Sequence, residues 1–234
     1  MMTRAPLQNR VAPTGEIVSD PGRGLLIGNR GCLHGKDRRL RVARWRSKHW
    51  ICCALSWKDV RRDPMPLGGW TALFFLDEAT ALAAGHRPCA YCRRADFISF
   101  AEGWRRAHGL VERPRAPAID AQLHTERVDS RTRRQLTRPQ LVGELPDGVM
   151  VRYHGAPGLL LDECVLPWSF DGYRAPIEVP AATSVELLTP PASVATIAGG
   201  YRPLLHPSAT GAGSSERLEL HSLRRPSSLS ADIL

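Results

Sequence analysis

WTALFFLDEATALAAGHRPCAYCRR, residues 70–94, reads as a strand, a short helix and a cysteine turn in succession. Thr71 to Phe75 is β-branched and aromatic enough for a short buried strand. Asp77 then stands where a carboxylate oxygen accepts from the first free N–H groups of a helix, which predicts it as the N-cap. Glu78 to Ala84 is almost all strong helix former with its acidic charge at the positive end, and Gly85 supplies the positive φ that ends the helix. The turn that follows delivers Arg87-Pro88-Cys89-Ala90-Tyr91-Cys92. Two thiols three residues apart, held by a proline and a helix end, have the geometry of half a tetrahedral zinc site.

Within that stretch, FFLDEATALAAGHRPCAYC, residues 74–92, resembles the second half of the zinc domain of Ada-type methylphosphotriester DNA-repair proteins and of small metal-binding domains related to it. The likeness runs without a gap over about 20 of 234 residues: two aromatics, a capping residue, an alanine-rich helix, glycine, then Arg-Pro-Cys-x-x-Cys. It implies zinc as cofactor, a second ligand pair upstream, a role in DNA repair or a related stress response, and a thiolate able to accept an alkyl group. Such domains often carry a His or Cys four residues before a Cys ahead of the aromatic strand, and here His49 precedes Cys53 by four. The resemblance thus implies Cys53 and His49 as the remaining ligands, with Lys58 to Gly69 as an insertion. Strand alternation sends Cys52 to the face opposite Cys53. Cys32 and His34, two apart on an extended segment, face one side and compete for the fourth position. The segment Gly28 to His34, GNRGCLH, is similar to one in bacterial proteins to which we attach no activity.

The 234 residues suffice for one sizeable core or two small ones, and 43% hydrophobic with 24% charged is an ordinary globular composition. No apolar run approaches the ~20 residues that cross a bilayer, and the first 20 residues have no signal-peptide core, which gives a cytoplasmic expectation without a membrane partner. Six cysteines, unevenly spaced, suit a metal site or free thiols better than a disulfide framework. Charge is uneven: residues 1–115 carry 21 Lys and Arg against 10 Asp and Glu, whereas residues 116–234 carry 11 against 13. The basic half is the cysteine half, and clustered cations there predict a nucleic-acid partner. Arg38 to Trp57 reads as a β-hairpin, and Arg39, Arg41, Arg44, Arg46, Lys48, Arg61 and Arg62, interleaved with tryptophans, form the candidate nucleic-acid surface.

The fold class expected is α+β: a small mixed sheet with a Cys-x-x-Cys knuckle and covering helices, followed by a small β meander. Prolines and glycines make residues 1–24 an arm; 25–130 form the basic knuckle domain; 131–207 are β-rich; 208–234, rich in Ser and Gly, are expected to be disordered. Ala95 to His108 is an amphipathic helix with Phe97, Phe100, Ala101 and Trp104 on one stripe. Ala118 to Arg127 is a second helix, on which Asp120 and His124 are four apart and form the candidate catalytic pair of an alternative, enzymatic reading with structural zinc. Arg131 to Pro139 reads as a connector, Leu145 to Leu188 as strands with tight turns, and Ala192 to Ala198 as a short helix.

Overall fold

The computed structural model describes residues 5–58 and 63–211 and is α+β, with two sheets held against each other by helices. The first sheet contains β1 (Gln8–Val11), β2 (Ile17–Ser19), β3 (Leu26–Asn29), β4 (Ile51–Ala54), β5 (Leu73–Phe75) and β6 (Arg87–Pro88), in the order β2-β1-β5-β3-β4-β6. It is mixed: β1 runs parallel to β5 and β4 parallel to β6, the rest antiparallel. Two expectations are corrected here. Residues 8–19 are not an arm but a hairpin that closes one edge of this sheet, with Val11 and Ile17 in the core. Nor is Arg38 to Trp57 a hairpin: among the described residues only Ile51–Ala54 is a strand, paired with β3 and β6, and an isolated bridge joins His34 to Leu40. The reason is that Arg39 to Trp45 has no continuous apolar face to bury; Val42, the inward residue of the expected strand, is 74% exposed.

Between β5 and β6 lies α1 (Glu78–Ala83), every residue of which is buried. Asp77 caps it as predicted, its Oδ1 accepting from the Thr80 N–H at 2.9 Å, and Gly85 ends it at φ +81°. A Cβ on Gly85 would also meet Cδ of Arg127 at 2.5 Å, so the turn needs glycine twice over. Small side chains let both sheets approach this helix: Ala81 and Ala84 join the core of the first sheet, Ala79 and Ala83 that of the second.

After β6, α2 (Arg94–Ala107) and α3 (Ala116–Arg127) follow, then the second sheet of β7 (Arg138–Leu141), β8 (Met150–Tyr153), β9 (Ala156–Leu161), β10 (Cys164–Ser169), β11 (Gly172–Tyr173), β12 (Ile177–Glu178) and β13 (Ser184–Leu187). It is antiparallel throughout, in the order β11-β10-β9-β8-β13-β7 with β12 on β10. Residues 138 and 139, expected as the end of a connector, open β7, the edge strand of this sheet, where a proline is tolerated. The amphipathic stripe of α2 buries Phe100, Ala101 and Trp104 with Ile119 and Leu123 of α3, Val151 and Leu160 of the second sheet, and Ile197 of α4 (Pro191–Ala198). Residues 208–211 of the expected disordered tail form a turn of helix, α5 (Ser208–Gly211); the rest of that tail, 212–234, lies outside the described residues.

Two buried acids at the start of α1 fasten the C-terminal segment. Asp77 also accepts from the Tyr173 hydroxyl at 2.7 Å and the His206 N–H at 3.1 Å, and burial pushes its carboxyl above the ordinary range. Glu78 takes both outer nitrogens of Arg93, at 2.8 and 2.9 Å, and accepts from the Tyr201 hydroxyl and the Leu204 N–H.

Candidate metal centre

The parallel pairing of β6 with β4 assembles the cysteines. Ile51 stands opposite Arg87 and Cys52 opposite Pro88, and the Cys89 N–H donates to the Cys52 carbonyl at 2.9 Å, so Cys89 emerges beside Cys53. The chain then turns before α2 and returns Cys92 to the same place. The sulfurs of Cys53, Cys89 and Cys92 all lie within 4.8 Å of one another, near enough to bind one metal ion. Ile27, Ala72 and the partly buried Trp70 and Phe74 surround them.

The local electrostatics suit a cation. The Tyr91 N–H points at Cys89 Sγ at 3.5 Å, and the Ala54 N–H is directed at Cys92. Three thiols this close share one ionisation: Cys89, which accepts from the Cys53 thiol, is held well below the usual thiol range. Cys53 is pushed far up, first by donating to Cys89 and then by burial, and Cys92 is raised chiefly by burial. All three become thiolates together only when a cation offsets their mutual repulsion. An all-sulfur set is soft, the donor chemistry of zinc among the common ions.

No other His, Cys, Asp or Glu among the described residues completes a fourth position. Instead a cavity of about 560 Å³ opens at the sulfurs, lined also by Asn29, Asp63, Trp70 and Tyr91. The other ligand candidates lie elsewhere. Cys32 is exposed, and His34 is buried between Thr71 Oγ1, at 2.6 Å, and the Pro66 carbonyl, at 3.0 Å. His49 turns its Nδ1 to Asp120 Oδ2 at 2.7 Å. Of the cysteines outside the candidate set, Cys164 is in the second sheet.

That last contact also places the candidate catalytic pair. Asp120 is buried and gripped by Arg87 through two hydrogen bonds, at 2.9 and 2.8 Å, with His49 as its third partner. His124 hydrogen-bonds Arg127 at 3.1 Å and packs edge-on to Trp45 and Trp50; burial and the Arg127 charge push its pKa down. The structure thus joins Asp120 to His49, 71 residues away, a pairing with no local signal in the sequence. Of the candidate nucleic-acid residues, Arg39, Arg41, Arg46 and Lys48 are exposed and Arg44 is half-buried, while Arg61 and Arg62 lie outside the described residues. No helix among the described residues is long and apolar enough to cross a membrane. No family model, curated protein or solved structure matches the chain.

Proposed function

We propose that this is a zinc protein in which Cys53, Cys89 and Cys92 hold the ion as thiolates and the fourth position faces the cavity between Trp70 and Tyr91. The observation that carries the reading is the convergence of three sulfurs, from β4 and the turn after β6, within 4.8 Å. A three-thiolate site with an open side is built for exchange of a fourth ligand or for reaction at sulfur, not for structure alone. The exposed arginines and lysine between Arg39 and Lys48 support a nucleic acid as the partner. On the Ada-type resemblance, Cys92, the least buried of the three thiols, attacks an alkyl carbon on a backbone phosphotriester. The S–C bond forms, the C–O bond breaks, and the electron pair leaves on the phosphodiester oxygen.

Elemental analysis of protein purified without chelator tests the metal. About one zinc per chain, lost in Cys89→Ser, is expected; metal-free wild type, or full retention in Cys89→Ser, overturns the reading. A second, enzymatic reading rests on His49, whose Nδ1 is held by a buried aspartate while the ring stays 62% exposed, as in a general base. A turnover activity that survives Cys89→Ser and disappears in His49→Gln would favour it.

A further inference from the structure

On the α1 side of the first sheet lies a second cleft, of about 590 Å³, whose chemistry differs from that of the thiol cavity. It is lined by Arg30, Arg44, Arg127, Arg133 and Arg134, with Trp45 and Trp50. Arg152 on its wall is neutralised by Glu186 at 2.6 Å, which leaves Glu16 as the only other carboxylate in the lining. Among the described residues, none of the five arginines pairs with a carboxylate.

Two of the five are buried, which is where an unpaired guanidinium costs most. Arg30 is 2% exposed and Arg127 1%. Their hydrogen bonds go to neutral groups: Arg30 to the Gly15 and Ala84 carbonyls and to His86 Nε2, Arg127 to the Gly85 and Lys48 carbonyls and to His124. Both also lie over the ring of Trp50, at 4.0 and 3.9 Å from its centre. Burial first, and then a neighbouring arginine, lowers Arg30 to about 9; burial likewise lowers Arg127 to about 9, against the opposing pull of the Asp120 charge. Nε of Arg127 and Oε1 of Gln135 are buried without a partner.

The floor is also fixed in place. The Gln135 amide nitrogen lies 3.1, 2.7 and 2.8 Å from the Pro13, Ala83 and Leu188 carbonyls, which share its two hydrogens, tying the first hairpin, α1 and the end of β13 together under the cleft. A rigid, concave site with buried cations that form no ion pair, more cations at the mouth and a partly exposed indole attracts an oxyanion joined to a planar group. We propose that this cleft binds a phosphate ester of nucleotide size, the phosphate set against Arg133 and Arg134 in the field of Arg30 and Arg127, and the planar group on Trp45. The cleft is separate from the thiols: Trp50, the residue just before β4, precedes Cys53 by three extended residues, about 10 Å, and faces the other side of the sheet.

The ligand class has two sources, a free nucleotide or one unit of a nucleic acid, and the test separates them. Adenosine 5′-monophosphate, inorganic phosphate and adenosine are titrated at low salt against the full chain, read by tryptophan fluorescence. The same titrations use the variant carrying Arg133→Ala and Arg134→Ala, two exposed positions whose loss leaves the core intact. The monophosphate is expected to bind, phosphate to compete with it, adenosine to bind far more weakly, and the double variant to lose about tenfold or more. A single-stranded oligonucleotide that loses affinity by the same factor assigns the cleft to a nucleic-acid unit; one that is unaffected assigns it to a free nucleotide. Absence of binding by monophosphate, phosphate and oligonucleotide alike, or binding of all three unchanged in the double variant, overturns the proposal. Zinc content is measured in parallel and is unchanged in the double variant, so failure here is distinguishable from failure of the metal reading.

Discussion

Cys52 and Cys53 are neighbours in β4 and turn their thiols to opposite faces of the first sheet. Arg93 donates to Cys52 Sγ at 3.6 Å, within the buried cluster that contains Glu78, while Cys53 joins Cys89 and Cys92. Burial and the Glu78 charge push the Cys52 thiol up, so it stays protonated and serves as a small buried hydrophobe. The expected outcome is a split. Cys53→Ser loses bound metal, whereas Cys52→Ala keeps it and loses about 1–2 kcal/mol of stability from the small cavity left behind. Metal analysis and urea unfolding of the two variants check this; metal loss in Cys52→Ala would contradict the assignment.

Glu78 and Arg93 give a second prediction. Both are nearly buried, at 1% and 7%, and the carboxylate carries two hydrogen bonds to the guanidinium. Glu78→Gln leaves Arg93 a buried cation with only the half-buried Asp96 as ion-pair partner and is expected to cost about 3 kcal/mol. Urea unfolding midpoints measure it, and a loss under about 1 kcal/mol would show that Arg93 reorganises onto Asp96.

How much of this was legible in the sequence follows local signals closely. Asp77, Gly85 and the Cys89–Cys92 turn announce themselves within a few residues, because capping, positive φ and knuckle geometry are local requirements. Strand alternation at Cys52 and Cys53 is equally local. The partner of His49, the burial of Arg30 and Arg127 around Trp50, and the hairpin at residues 8–19 are tertiary facts, fixed by which strand lies beside which. The basic loop misled because alternating Leu40 and Val42 imitate a strand, whereas the apolar surface that would bury Val42 is absent.

Acid should destabilise the fold through His86. The ring is fully buried beside Arg30 and Arg127, and burial first and those charges next depress its pKa well below the ordinary value. Below about pH 6.5 the unfolded chain binds a proton that the folded chain refuses, so stability is full above that pH and falls as pH drops, by up to about 1.4 kcal/mol per unit for this group. Unfolding free energies between pH 7 and 5 should fall less steeply in His86→Gln, whose amide oxygen can still accept from Arg30. An identical slope in that variant would place the acid sensitivity elsewhere, His124 being the next candidate.

Nucleic-acid affinity of the exposed basic loop is expected to fall with salt. Neutralising about four phosphates gives a log–log slope near −3 to −4, and Arg39→Ala with Arg41→Ala should make it shallower by about two contacts. An oligonucleotide titrated across a salt series measures both numbers. Wild-type slope in the double variant would remove this loop from the interface.

Zinc-edge X-ray absorption on the purified full chain tests the centre most directly, because it counts the sulfurs. The three-thiolate site predicts three sulfur neighbours at ~2.3 Å and a lighter oxygen or nitrogen neighbour in the fourth position. A four-sulfur shell, which would require Cys32, Cys52 or Cys164 or a second chain at the ion, would contradict the open site, and so would a shell with no sulfur.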